Sequence, residues 1–234
     1  MAQSLAAAGM KITIVENGPY QVTGGAPLVR ATIEANEAGD SVDWKEAPGP
    51  ETRRAYQLCR CGHSQTKPFC DGSHTRIGFD GREMASRAPY FEQAGVIEGP
   101  TLALADAEPL CAFARFCDRD GNVWNTVSEV RGESEQNAFV RQVDQCPSGR
   151  LRALDAATSH EREAELEPSI ALVADPGQGV AGPLWVRGGI AIVGADGRTY
   201  ETRNRVTLCR CGASKNKPFC DGSHAADDVR FQEA

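Results

Sequence analysis

The chain has 234 residues, 41 % of them hydrophobic and 24 % charged, which suits one or two ordinary globular domains. Its net charge of −7 argues against a general nucleic-acid binder, because phosphate contacts need clustered Lys and Arg. No apolar run approaches the roughly 18 residues that a membrane helix needs, so no membrane partner is expected.

Met1 to Met10 carries neither a basic leader nor a long apolar stretch, so no export signal is expected. Nine cysteines are too few for a disulfide scaffold. A reducing, cytoplasmic setting is therefore expected, where clustered cysteines bind metal or do redox chemistry. Aromatics make up only 6 %, and 24 glycines with 13 prolines favour short strands and many turns.

Lys11–Val15 is β-branched and reads as a strand, and a further strand should end at Leu58. The loop that follows, residues 59–74, reads CRCGHSQTKPFCDGSH. In the middle, Asp106 could cap a short helix with Pro109 in its first turn and Leu110, Phe113 and Cys117 on one face. A second helix is expected around Ser134–Cys146, with Phe139, Val143 and Cys146 on one face and Pro147 and Gly149 as stop signals. Glu161–Glu167 reads as a solvated face or linker. Leu184–Val193 returns to a strand pattern, and Ala195-Asp196-Gly197 should let Ile190–Val193 pair with Thr199–Thr202 as a hairpin. A strand ending at Leu208 leads into residues 209–224, CRCGASKNKPFCDGSH.

The two loops match at thirteen of sixteen positions, too many for chance. Upstream, Gly18–Val29 parallels Gly182–Val193, and the change in offset from 164 to 150 implies a 14-residue insertion around Asn36–Pro50. Each loop offers the same metal-ligand set, Cys59, Cys61, Cys70 and His74, then Cys209, Cys211, Cys220 and His224. An extended backbone would point the two thiols of C-x-C apart, so the chain must turn at Arg60 and Arg210. Cys70 and His74 are four apart, one helical turn on one face, with Asp71 a favoured N-cap. Amides at that helix start would face an anionic centre. The repeat also acts as an internal control: His63 is Ala213 in the second copy and so is a poor ligand, while Gln65/Lys215 and Thr66/Asn216 should be exposed.

The order C-x-C-x2-S-x3-P-x-C-D-G-S-H resembles the CDGSH-type iron–sulfur family. It is complete at Cys59, Cys61, Ser64, Pro68, Cys70, Asp71, Gly72, Ser73 and His74, and again at Cys209, Cys211, Ser214, Pro218, Cys220, Asp221, Gly222, Ser223 and His224. The resemblance implies one [2Fe–2S] cluster per window, two in all. Cys59 and Cys61 would hold an inner iron, and Cys70 and His74 an outer, more exposed one. It is also similar to tandem bacterial members, which implies a monomer with an internal pseudo-twofold. Cys111, Cys117 and Cys146 resemble a degenerate ferredoxin-like insert with buried thiols, three where a cluster takes four. Trp124, Phe113 and Phe139 would then be core.

The expected architecture is α+β and β-rich: two pseudo-symmetric strand/cluster-loop/short-helix units packed together with a small helical insert. Residues 1–98 form the N-terminal repeat, 99–168 the insert and 169–234 the C-terminal repeat. Replacing one thiolate by neutral His leaves a cluster one unit less negative, so its potential should lie above the about −400 mV of plant-type ferredoxins. Arg60, Arg210, Lys67 and Lys217 could push the same way or be merely exposed. A His ligand also titrates, so pH-dependent potential and acid lability are expected. The expected function is one-electron transfer, redox sensing or cluster transfer with redox or acceptor proteins as partners. No nucleophile elbow, Walker loop or Rossmann fingerprint appears, so an enzyme is not expected. A zinc-binding structural module is the alternative, although zinc sites usually space paired cysteines by two to four residues.

Overall fold

A computed structural model describes residue 7 and residues 9–233. Most of the opening segment on which the export expectation rests lies outside them. The chain folds as β1 (Lys11–Ile14), β2 (Tyr20–Thr23), β3 (Leu28–Ala35), β4 (Ser41–Pro48) and β5 (Ala55–Leu58), then the first cysteine loop. Helices α1 (Ser73–Arg76) and α2 (Tyr90–Gln93) lead to β6 (Gly95–Glu98) and β7 (Leu102–Asp106). Next come α3 (Val123–Thr126), α4 (Glu133–Asp144) and β8 (Leu151–Asp155). Strands β9 (Ser169–Asp175), β10 (Val180–Arg187), β11 (Ala191–Val193) and β12 (Arg205–Leu208) deliver the second loop. The β-rich α+β character and the small helical insert are as the sequence implied.

The strands form three sheets, ordered β11-β1-β2-β5, β12-β10-β9-β3-β4 and β6-β7-β8. Within each repeat, short antiparallel pairs form between neighbours, β1 with β2 and β9 with β10. The third strand leaves. β3 runs parallel to β9, with Leu28 opposite Ile170, and its sequence counterpart β11 runs parallel to β1, with Ile12 opposite Ile192. Each repeat thus lends a strand to the other's sheet, and neither sheet is complete alone. The region assigned to the 14-residue insertion contains β4, which turns back on β3 and occupies the edge of the second sheet.

Alternation along these strands builds one continuous core. Ile12, Ile14, Tyr20, Val22 and Leu58 from the first half pack with Ile170, Leu172, Leu184, Val186, Val206 and Leu208 from the second. The sequence LALAD of β7 serves two cores, because successive side chains face opposite sides of a sheet. Ala103 and Ala105 face this central core, whereas Leu102 and Leu104 pack with Val123, Val127, Phe139, Val143 and Leu151 of the insert.

Several expectations change here. The helix expected from Asp106 is only a 3₁₀ turn over Glu108–Leu110. The Asp106 carboxylate is taken by Arg150 and Trp124, so it does not cap. Phe113 is 42 % exposed and therefore not core, and Cys111 and Cys117 lie on irregular chain. The second helix is found as α4 with Phe139 and Val143 buried, Cys146 falling just past its end. The Glu161–Glu167 stretch is no mere solvated face: Glu161 pairs with Arg152 and Glu163 with buried Arg205. The hairpin after β11 closes through Gly194 N–H to Arg198 O and the Val193–Thr199 bridge. Strand β10 ends at Arg187, because Gly188 and Gly189 both adopt positive φ before β11 begins.

Candidate metal centres

Each loop hangs from the last strand of its repeat. Leu58 bridges Phe69 and Leu208 bridges Phe219, so each loop closes on its own stem. Cys59 N–H donates to Pro68 O and Cys70 N–H to Gln57 O; Cys209 and Cys220 repeat the pattern with Pro218 O and Thr207 O. Ser64 and Ser214 donate to Phe69 O and Phe219 O across the loop. Asp71 accepts from the amides of Gln65 and Ser73, and Asp221 from those of Lys215 and Ser223. The expected N-cap is therefore a clasp joining the two ends of the loop. These amide bonds hold Asp71 far below the usual carboxylate range, and in Asp221 they outweigh burial to the same effect.

The chain bends as the C-x-C spacing required. Cys59 Sγ lies 3.8 Å from Cys61 Sγ, and Cys209 Sγ lies 3.7 Å from Cys211 Sγ. Cys70 Sγ is 3.4 Å from His74 Nδ1, and Cys220 Sγ is 3.4 Å from His224 Nδ1. This second convergence does not come from one helix face. Helix α1 begins only at Ser73, and the turn is made by Gly72 at φ 84°, with Gly222 at φ 85° doing the same. The amides of Gly72 and Gly222 then point at the Cys70 and Cys220 sulfurs, 3.4 and 3.5 Å away. Two bonds of about 2.3 Å to one tetrahedral metal would place two sulfurs about 3.8 Å apart. Each loop thus presents two donor pairs, each spaced for one metal. Among the described residues no three His, Cys, Asp or Glu side chains gather around a single ion position.

In each C-x-C pair the two sulfurs lie within hydrogen-bonding reach. The hydrogen bond from Cys61 pushes Cys59 down to about 6 against burial, helped by the amides of Ser64, Gly62 and Cys61, while Cys61 itself is pushed up. Cys209 and Cys211 behave alike, with Cys209 at about 7. A metal held there would take both sulfurs as thiolates.

The two loops meet at their inner cysteines. Cys61 and Cys211 form an antiparallel bridge. A Cβ on Gly62 would lie 2.4 Å from Cys211 O, and one on Gly212 2.6 Å from Cys61 O. Glycine is required at both positions because each backbone occupies the other's side-chain space.

These reciprocal contacts accompany matching comparisons. Residues 17–75 and 181–225 match the iron-binding zinc finger of CDGSH type. The chain carries two CDGSH-type regions in tandem. Between the CDGSH repeats, residues 97–156 match a divergent 4Fe–4S mono-cluster family. Curated proteins and solved structures yield no match.

The middle region does not complete a four-iron donor set. Cys111, Cys117 and Cys146 are half-buried rather than buried, and three thiols fall one short of the four cysteines such a cluster takes. Burial, reinforced by Asp118 and the other two thiols, pushes Cys117 well above the usual thiol range.

The CDGSH loops also use residues whose role the sequence left open. Arg60 and Arg210 are buried, not exposed, and bind backbone carbonyls. Arg60 Nε donates to Gly18 O and Arg210 Nε to Gly182 O, and the guanidiniums stack on Phe79 and Phe231. Lys67 and Lys217 close their own loops on Ser64 O and Ser214 O. His63 is exposed and touches Cys61 O, in keeping with its absence from the second copy. Gln65, Thr66 and Lys215 are exposed, but Asn216 is half-buried and donates to Pro109 O. Tyr20 had no signal at all: its hydroxyl reaches Cys209 O and Pro218 O of the other repeat, at 2.8 and 3.1 Å.

Proposed function

We propose that each loop holds one [2Fe–2S] cluster and that the protein carries single electrons. The observation that supports this is the division of each donor set into two pairs, at 3.8 and 3.4 Å in the first loop and 3.7 and 3.4 Å in the second. One zinc ion would need all four donors around a single centre.

Cys59, Cys61, Cys70 and His74 would hold the first group, and Cys209, Cys211, Cys220 and His224 the second. Such a group, when bound, supplies reversible one-electron acceptance. The chain's own residues fix its surroundings. Amides at Gly72 and Gly222 direct positive dipoles at the outer sulfurs, and Arg60 and Arg210, each between the two cysteines of its C-x-C, bury a cation in each repeat. Both features favour the added negative charge of the reduced state. All four donors in each set are protein side chains, which leaves no position for a substrate and suits a carrier rather than an enzyme. The exchanged strands and the reciprocal Cys61–Cys211 seam support an internal twofold in a single chain.

Metal and sulfide analysis of the freshly purified protein tests the reading. About four iron and four acid-labile sulfide per chain, with a red-brown colour, are expected. A colourless protein holding zinc and no sulfide would refute it.

A further inference from the structure

The two loops are nearly identical in sequence, yet their surroundings are not. His74 and Cys70 are half-buried, whereas His224 is 4 % and Cys220 2 % exposed. The difference lies in what stands above the glycine between the two outer donors. A Cβ added to Gly72 meets nothing within 4 Å, while one added to Gly222 lies 3.2 Å from Phe113 Cβ and 3.6 Å from Cys111 O. The cover is a segment of the insert, residues 111–115.

That segment is pinned at both ends. Before it, Pro109 O accepts from Asn216 Nδ2 at 2.8 Å, tying the insert to the second loop itself. After it, Arg115 makes a two-pronged ion pair with buried Asp175, at 2.5 and 3.2 Å, and reaches Ser41. Between these anchors the backbone is held in an unfavourable shape: Phe113 has φ 56° and Arg115 φ 62°. L-residues enter that region at a cost, and here the ion pair and the Asn216 contact offset it.

We propose that the two sites are not equivalent: exchange of bound metal with outside acceptors takes place at the first site, and the second is a retained site sealed by residues 111–115. The proposal rests on both loops being loaded as set out above, and it adds where an acceptor engages. It also assigns the insert a task that needs no cluster of its own. The sealed site adjoins the open one at the Cys61–Cys211 seam, where the two backbones are bridged.

Loaded protein treated with an iron chelator and N-ethylmaleimide tests this, with mass spectrometry timing the labelling of each cysteine peptide. Cys70 is expected to be labelled roughly tenfold faster than Cys220, since exchange follows local opening. Phe113→Gly removes the side chain nearest Gly222 and loosens the cover while relieving the strained turn, so the fold is not put at risk. It should speed labelling of Cys220 about fivefold or more and leave Cys70 unchanged. Asn216→Ala, which frees the other anchor, should act in the same direction. Equal rates at Cys70 and Cys220 in the parent protein would overturn the proposal, as would a Phe113→Gly effect that is absent or equal at both sites. Purified protein without iron and sulfide would instead refute the reading on which it rests.

Discussion

Gly62→Ala probes the seam between the loops, and the structure supplies its own control. Gly62 has φ 80° and Gly72 φ 84°, so an alanine at either position meets the same backbone penalty. That penalty is about 1–2 kcal/mol. At Gly72 there is nothing else to pay, because no atom lies within 4 Å of the added Cβ. At Gly62 the new methyl would stand 2.4 Å from Cys211 O and 2.8 Å from Cys211 C, backbone atoms of a candidate ligand that cannot swing aside. Forcing an extra carbon into such a contact adds about 1–3 kcal/mol. Gly62→Ala should therefore cost about 2–5 kcal/mol against about 1–2 for Gly72→Ala. For a chain of this size each kcal/mol lowers the thermal midpoint by about 2–4 °C, which calorimetry or circular dichroism resolves. The displaced carbonyl belongs to the second loop, so Gly62→Ala should also hasten chelator-driven loss at Cys209 and Cys211. If Gly62→Ala costs no more than Gly72→Ala, the interlocking of the two loops is wrong.

Arg205 is buried on β12 and donates to the carbonyls of Val143, Asp144 and Cys146 at the end of α4, to Leu151 O, and to Glu163. Arg205→Met leaves Glu163 and those carbonyls without their partner and should cost roughly 3–5 kcal/mol in thermal or urea unfolding. Tyr20→Phe removes the hydroxyl shared by Cys209 O and Pro218 O and should cost about 1–2 kcal/mol, with metal loss hastened at the second site only. The raised Cys117 stays a neutral thiol at pH 8, so iodoacetamide should modify it far more slowly than a free cysteine, as peptide mass spectrometry would record. Fast alkylation of Cys117 at that pH would show that its burial is not as described.

The candidate donors were legible because a repeat is its own alignment. Thirteen shared positions retained Cys59, Cys61, Cys70 and His74 beside their counterparts, and the His63/Ala213 difference removed the competing histidine. The short strands, the insertion around β4, and α4 followed from alternation, offset and helical spacing, all local properties. What failed was also local reasoning, applied where distant groups decide. Asp106 looked like a cap because Asp often caps, but Arg150 and Trp124 engage it from elsewhere in the insert. Phe113 looked like core because it is aromatic, yet its backbone turns it out over Gly222. For Arg60 and Arg210 residue type left two readings open, a push on the potential or mere exposure; both are buried, and their carbonyl partners lie far back in the chain at Gly18 and Gly182.

Taken alone, the sequence determined the family, the doubled loop and the eight candidate ligands, since ligand chemistry is written in residue type and spacing. Only the tertiary structure decided that β3 and β11 trade places, that Cys61 and Cys211 interlock, and that one of two near-identical loops lies under a lid. Identical loops carry identical local forces; what distinguishes them is the chain that packs on top, and that is set by contacts a hundred residues away in sequence.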